Sequence, residues 1–172
     1  GFANTITNHG QPRRAAPTVT PKTGLDCSMP HQPRNPAFAE EIKQSFAKQT
    51  LMGLIGAELS RVEPGVVEIT LPYRADLAQQ HGYLHAGIVT TIADSACGYA
   101  AYSMMPPNSE VLSVEFKVNL LRPAKGEKFL AVAEVVKAGK TLTVVRADVF
   151  GIDPEEKREL VATMLGTMIC LS

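Results

Sequence analysis

One carboxylate stands alone in a long apolar stretch of the sequence, and its isolation points to chemistry. Between Asp76 and Glu110 the only residue with a formal charge is Asp94, and small or apolar residues surround it. An ionised carboxylate is seldom buried without a partner or a task, because removing it from water costs free energy. Asp94 is therefore the first candidate for a general base or a nucleophile. The alternative is a helix carboxylate satisfied by a neighbouring hydroxyl, for which the candidates are Thr90, Thr91 and Ser95.

The residues before Asp94 suggest how a developing negative charge would be stabilised. The apolar run predicts a buried helix that begins near His85. The first N–H groups of a helix have no partner within it, and the helix dipole favours negative charge there. The N–H groups of Ala86 and Gly87 are therefore candidate donors to an oxyanion. His85, taken alone, is more often a structural histidine than a base, and its expected task is to fix the loop or to hydrogen-bond the substrate.

Predictions also follow for three small residues at or near this helix. Gly82 and Gly87 are expected to permit close approach of the backbone, although turn geometry alone also explains Gly82. Ser113 has no base near it in the sequence, so it is not predicted to be a nucleophile.

Composition and charge narrow the class of protein. The chain has 172 residues, which suits one domain with an appended arm. It has 17 Lys and Arg against 17 Asp and Glu, so net charge gives no reason to expect nucleic acid or a membrane as a partner. No Cys-x-x-Cys pair and no apolar run of membrane length occur, so neither zinc nor a membrane span is expected. Reduced thiols and a cytoplasmic location are predicted from three widely spaced cysteines, Cys27, Cys97 and Cys170.

The order of the predicted elements gives an α+β fold. Residues 1–34 are Pro-rich and lack a hydrophobic period, which predicts an arm that lies along its own domain or a partner subunit, with a targeting peptide as the alternative. The folded domain is predicted at 35–172, and its first helix runs from a cap at Asn35 to just before Gly53. Two strands, the central helix and four strands follow, which predicts an antiparallel sheet wrapped around that helix. The predicted strands are 55–62, 66–71, 111–121, 129–137, 141–150 and 160–171.

Two of these elements show a clear apolar face. The first helix repeats apolar residues at four-residue steps, at Phe38, Ile42 and Phe46. The strand after the central helix alternates apolar and polar residues, which predicts one packed face and one wetter face. Its packed face is predicted to hold Leu112, Val114, Phe116, Val118 and Leu120.

Several short motifs, taken in order, resemble one protein family. They are His85-Ala86-Gly87 with Asp94 nine positions after the histidine, Ser113-Val114-Glu115-Phe116, Arg122-Pro123-Ala124 and Lys137-Ala138-Gly139-Lys140-Thr141. Residues 40–171 resemble the hotdog-fold acyl-CoA thioesterases of the phenylacetic-acid-degradation, or PaaI-like, type. That family typically has His-Gly-Gly where this chain has His-Ala-Gly. It often has an asparagine six residues before the histidine, where this chain has Gln79.

The resemblance implies an activity and an assembly. The activity is hydrolysis of an acyl-CoA thioester to the free acid and coenzyme A, without a metal or redox cofactor. Hotdog proteins form homodimers, in some cases assembled into tetramers, and their active sites lie across the subunit interface. Asp94 of one subunit would therefore act with Ala86 and Gly87 of the other.

The resemblance also implies roles for individual residues. Gln79 would orient water or substrate, and Ser113 would position water, with ordinary strand polarity as the alternative for Ser113. Residues expected to bind substrate are Leu84, Ile88, Arg122, Lys137, Lys140 and Thr141. The acyl pocket is predicted to be lined by Leu51, Met52, Leu84, Ile88 and Tyr99, although such residues are also ordinary core. The phosphates of coenzyme A predict a basic edge, where solvated turn residues are the alternative, at Arg122, Lys125, Lys137 and Lys140.

Three other functions stay open at this level. A hotdog hydratase shares the fold but usually pairs a histidine with an acid in a sequence setting that this chain lacks. A non-catalytic module that binds or senses acyl-CoA would keep the fold without turnover, and the presence of Asp94 argues against it. A scaffold that binds another protein through its Pro-rich arm is the third.

Overall fold

The structure is a computed structural model, and it describes residues 32–171. The arm predicted at 1–34 therefore lies almost wholly outside the described residues, and its boundary at Asn35 stays a prediction. Within the described part, no helix is long and apolar enough to cross a membrane.

Two short helices lie before the first strand, where the sequence predicted one. Helix α1 spans Phe38–Ala47 and helix α2 spans Thr50–Ile55. The single-helix prediction is wrong because Gln49, between them, has an extended backbone with ψ of 96°. Asn35 does not cap α1 either, since its Oδ1 accepts the N–H of Ala37 at 2.9 Å in the turn before the helix. The apolar face of α1 was predicted correctly, because Ile42 is fully buried and the two phenylalanines pack on the core.

The central helix α3 spans Ala86–Tyr102, as the apolar run predicted. Many of its buried residues are small, and Ala93, Ala96 and Ala100 have no exposed surface. Small residues also face it from the sheet, among them the fully buried Ala131 and Ala147. Because alanine side chains are short, helix and sheet pack closely around this core.

Six strands form one antiparallel sheet in the order β1-β2-β4-β5-β6-β3. The α+β fold with a sheet around a helix is therefore confirmed. The strand predicted to start at Ile55 starts three residues later, since Ile55 ends α2. The strands are β1 Glu58–Glu63, β2 Val66–Pro72, β3 Glu110–Leu120, β4 Lys128–Ala138, β5 Leu142–Ile152 and β6 Arg158–Leu171.

Strand β3 is an edge of this sheet, and its predicted packed face is wrong in two respects. A bulge lies between Ser113 and Glu115, which pair with Met168 and Thr167 of β6, so the alternation changes phase at Val114. Ser113 thereby shares the helix-facing side with Phe116, which lies opposite the buried Gly166. Val118 packs against the core, but the other apolar residues of the predicted face are left open by their own chain, with Leu112, Phe116 and Leu120 exposed by 58%, 43% and 55%.

Candidate active site

The first turn of α3 is organised by His85, which is its N-cap residue. The Nδ1 atom of His85 accepts the N–H of Gly87 at 2.9 Å, so the imidazole hydrogen lies on Nε2. A side chain at Gly87 would place its Cβ 3.1 Å from this nitrogen, which explains the glycine by close approach. Of the two predicted oxyanion donors, the Gly87 N–H is thus occupied in this structure. The Ala86 N–H has no hydrogen-bond partner among the described residues.

The loop before α3 holds Gln79 next to that open N–H. The Gln79 N–H donates to the carbonyl of Tyr83 at 2.8 Å, and the Gln79 carbonyl accepts from Gly82 at 2.9 Å. Gly82 has a φ of +79° and open space where a Cβ would stand, so turn geometry explains this glycine. The Gln79 side-chain oxygen accepts the N–H of His81, which leaves its amide hydrogens as donors.

A cavity of about 310 Å³ opens at this end of the molecule. Its wall contains Gln79, Leu84 and Ala86 beside Leu120 from the end of β3, and Arg122 lies at its edge in an ion pair with Glu159 at 3.4 Å. The lining of this cavity is mainly apolar.

Asp94 lies in a different cavity, of about 640 Å³, and its partner comes from β3. The Ser113 hydroxyl donates to Asp94 Oδ1 at 2.7 Å. Thr90 and Thr91 were the alternative partners of Asp94. They donate instead to the carbonyls of Ala86 and Gly87, each at 2.8 Å, so neither of them satisfies the Asp94 carboxylate. Asp94 therefore keeps its second oxygen available in a cavity large enough for a small ligand.

Polar residues of α1 and of the short link to α2 form one wall of this larger cavity, and they were not predicted as site residues. The hydroxyl of Tyr99 accepts from Gln49 Nε2 at 2.7 Å and lies 3.2 Å from Ser45 Oγ. Tyr102 donates from its hydroxyl to Glu41 at 2.8 Å. The only signal was the polar face of an amphipathic helix, and most such faces meet solvent.

The predicted acyl-pocket residues are scattered rather than gathered. Tyr99 lines the larger cavity and Leu84 the smaller one. Met52 is buried in the core, Ile88 packs against it, and Leu51 is exposed. A single pocket made from these five side chains is therefore not present within the chain.

The predicted basic edge is also divided. Arg122 and Lys125 lie at the end of the sheet where β4 begins, whereas Lys137 and Lys140 lie where β4 ends. The 11 residues of β4 separate the two groups by roughly 35 Å. Within one chain the prediction of a cluster is wrong. The second group and Thr141 line neither of the two cavities.

The two halves of the predicted chemistry do not meet in one chain. Ala86 and Asp94 are eight residues apart on one straight helix, which is about 12 Å along its axis. They open into different cavities, the open N–H with Gln79 and the carboxylate with Ser113. Among residues 32–171, no group of three or more His, Cys, Asp or Glu side chains is placed to share a metal ion.

One turn beyond Asp94, Cys97 is buried, and we expect its thiol to be unreactive in the native protein. Burial, and next the negative charge of Asp94, raise the pKa of Cys97 to about 12, so it stays protonated at neutral pH. Native wild type and native Cys97→Ala should show the same number of reactive thiols toward an aromatic disulfide reagent, and denatured wild type should show one more than denatured Cys97→Ala. Loss of a native reactive thiol in the variant would contradict this.

Comparison with known proteins agrees with the observed architecture. Residues 81–157 match the family model of the thioesterase superfamily. A thioesterase family protein from Silicibacter pomeroyi is 49% identical, with 78% of this chain and 98% of that chain covered and a TM-score of 0.76.

Two further relatives extend the comparison. The 1,4-dihydroxy-2-naphthoyl-CoA hydrolase of Listeria monocytogenes is 31% identical over 96 residues, which are 54% of this chain and 78% of the relative. The E. coli PaaI protein from the phenylacetic acid degradation operon shares the fold, with a TM-score of 0.69 at 19% identity over 78% of this chain and 94% of PaaI. The chain therefore belongs to the thioesterase superfamily, as a thioester hydrolase with the hotdog fold that PaaI also has.

Proposed function

We propose that the protein hydrolyses acyl-CoA thioesters to the free acid and coenzyme A, in sites shared between two copies of the chain. The observation that carries this proposal is the division of the site: Asp94 with Ser113 in one cavity, and the open Ala86 N–H with Gln79 in the other. Each half alone lacks what the other supplies.

The edge strand β3 offers a way to join the halves. Its unpaired edge is 11 residues long and carries exposed apolar side chains, which proteins rarely leave unprotected. Two copies related by a twofold axis near Phe116 would pair their β3 strands antiparallel. Ser113 lies toward the start of β3 and Leu120 at its end, so this pairing brings the Asp94 cavity of one subunit beside the Ala86 cavity of the other.

The chemistry then follows from the groups present. Asp94 removes a proton from water that attacks the thioester carbon, or attacks that carbon itself, and Ser113 holds the carboxylate in place. The Ala86 N–H at the helix N-terminus donates to the oxygen as negative charge develops there. The tetrahedral intermediate collapses with cleavage of the C–S bond, and the coenzyme A thiolate leaves and is protonated. Attack by water gives the free acid directly. Attack by Asp94 gives an acyl-aspartyl anhydride, which water then hydrolyses to the free acid and the restored carboxylate. The protein's own side chains and the Ala86 N–H suffice for these reaction steps, so no metal or redox cofactor is part of the proposal.

Roles for the remaining predicted residues belong to the same proposal. The Gln79 amide would orient water or substrate, and Leu84 and Ile88 would border the reacting end of the acyl group. Coenzyme A would meet basic residues at the rim, and a dimer allows Arg122 of one subunit and the β4–β5 turn of the other to contribute together. Lys140 and Thr141 lie in that turn, and Lys137 lies just before it at the end of β4. A homodimer, alone or as half of a tetramer, and a cytoplasmic location complete the proposal.

Steady-state hydrolysis of a panel of acyl-CoAs, followed by release of the free thiol, tests this function. The panel includes short, medium and long chains and aromatic acyl groups, because a relative acts on 1,4-dihydroxy-2-naphthoyl-CoA and another belongs to phenylacetic acid degradation. Turnover of at least one member supports the proposal. Binding of acyl-CoA without turnover would favour the non-catalytic module instead.

The proposed interface gives a separate prediction at Phe116. Phe116→Lys places two ammonium groups close together at the twofold axis, so the variant should be monomeric by sedimentation velocity and should lose most of its activity. Val136→Lys is the matched control, since Val136 is 48% exposed on β4, away from β3. An active, dimeric Phe116→Lys protein would contradict this arrangement of subunits.

A further inference from the structure

The larger cavity is a groove that runs away from Asp94 along α3. Its floor is one face of the helix, with Asp94, Gly98, Tyr99 and Tyr102 in line. Eight residues separate the first from the last, which is about 12 Å. Helix α1 forms one side and residues 108–113 form the other. An acyl group whose thioester carbon lies at Asp94 can extend along this floor.

The far end of the groove is negatively charged. Tyr102 donates a hydrogen bond to Glu41, and hydrogen bonds from Asn35 and Tyr102 lower the pKa of Glu41, so this residue is anionic at neutral pH. Glu110 lines the same end, and Lys48 is the one cation among the described residues that line the groove. With Asp94, three carboxylates face one ammonium group.

The walls between the two ends offer hydrogen-bonding groups beside the apolar side chains of Val111 and Leu112. Ser45 and Gln49 meet the hydroxyl of Tyr99 there, as described above. Ser109 also belongs to the lining, is only 5% exposed, and its Oγ has no hydrogen-bond partner in the described part of the chain. A buried hydroxyl without a partner is costly, and this one stands beside the groove as an unused hydrogen-bonding group.

We propose that this groove selects acyl groups that end in an uncharged hydrogen-bonding group, such as a hydroxyl, and rejects acyl groups that end in a carboxylate. The inference rests on the proposed function and names its substrate class. A terminal carboxylate would lie near Glu41 and Glu110, and the repulsion is only partly offset by Lys48. A plain alkyl end would remove water from polar walls without replacing the lost hydrogen bonds. A terminal hydroxyl carries no charge, and it can replace the hydrogen bonds that the displaced water made.

Three substrates of matched length test the selection: decanoyl-CoA, ω-hydroxydecanoyl-CoA and decanedioyl-CoA, whose chains suit the length of the groove. All three release the same thiol, so their kcat/KM values are directly comparable. We expect the hydroxylated substrate to exceed the diacid by at least about fivefold, and to exceed the alkyl substrate as well.

A pair of variants assigns the discrimination to the groove. Glu41→Gln removes the charge but leaves an oxygen that accepts from Tyr102, so it should reduce the preference for hydroxyl over carboxylate by at least about twofold. Glu40→Gln makes the same change one residue earlier on α1, outside the groove, and should leave the preference unchanged.

The outcomes separate this inference from the function on which it rests. Equal rates for the hydroxylated and dicarboxylic substrates, or equal preferences in the two variants, would overturn the inference and leave the thioesterase intact. Failure of the wild type to hydrolyse any acyl-CoA in the panel or in this set would overturn the proposed function and the inference with it.

Discussion

Asp94→Asn is expected to lower kcat for the best acyl-CoA substrate by at least about a hundredfold. The amide can neither take a proton from water nor attack a thioester, so both proposed mechanisms lose their reactive group. The Asn oxygen can still accept the hydrogen bond that Ser113 donates to Oδ1, so fold and assembly should be retained. KM should change little, because the loss is in the chemical step.

A matched substitution separates the loss of a catalytic carboxylate from the loss of a negative charge elsewhere in the protein. Asp148→Asn makes the same change on β5, where Asp148 lies between the fully buried Ala147 and Val149 and points to the opposite face of the sheet. It should keep wild-type activity. Thermal unfolding and sedimentation velocity of both variants check that neither has lost its structure. Equal activity of the Asp94 variant and the wild type would place the chemistry elsewhere.

The sequence predicted the carboxylate but not the hydroxyl that holds it. Asp94 was recognisable because a lone charge in an apolar helix needs a reason. Its partner Ser113 is 19 residues away, and their contact depends on the register of β3 beside β6. The bulge at Val114 decides which side chains before it face the helix, and period-two alternation carries no sign of such an insertion.

The same limit explains the face of β3 that was predicted to be packed. An alternation of apolar residues predicts that one face of a strand will be buried. It does not predict whether the chain's own core or another molecule covers that face. In one chain, Leu112, Phe116 and Leu120 stay exposed, and a second copy is the occupant we propose. Ile42 on α1 is instead buried by the chain's own core. The sequence pattern does not distinguish a face that packs on the core from a face that packs on another subunit.

The polar contacts between helices could not be predicted from the sequence for a further reason. The apolar side of α1 predicts that it packs somewhere, whereas the contact of Ser45 and Gln49 with Tyr99 depends on where it packs. The N-terminus of α3 was easier, because its position follows from the apolar run alone. Even there, the structure is needed to show that His85 accepts the Gly87 N–H and leaves the Ala86 N–H open.

Ala86→Pro tests that open N–H by removing the hydrogen and little else. Proline is tolerated at the first helical position, and the residue before it must be extended, as His85 is with φ −62° and ψ 137°. Loss of one oxyanion donor should lower kcat by about 10² to 10³-fold. Ala86→Gly keeps the N–H and is the control that should stay active. Full activity of the proline variant would show that another group binds the oxyanion.

Mixing the two inactive variants decides whether the site is shared between subunits. In a heterodimer of Asp94→Asn and Ala86→Pro chains, a shared arrangement leaves one site with both an intact carboxylate and an intact N–H, and the other site with neither. Random reassortment by joint refolding makes about half of the dimers mixed, so activity should recover to about a quarter of the wild-type value. Groups that act together within one chain would give no recovery, because every chain then carries one defect. Since about 12 Å of helix separates the two groups in a single subunit, recovery is the expected result.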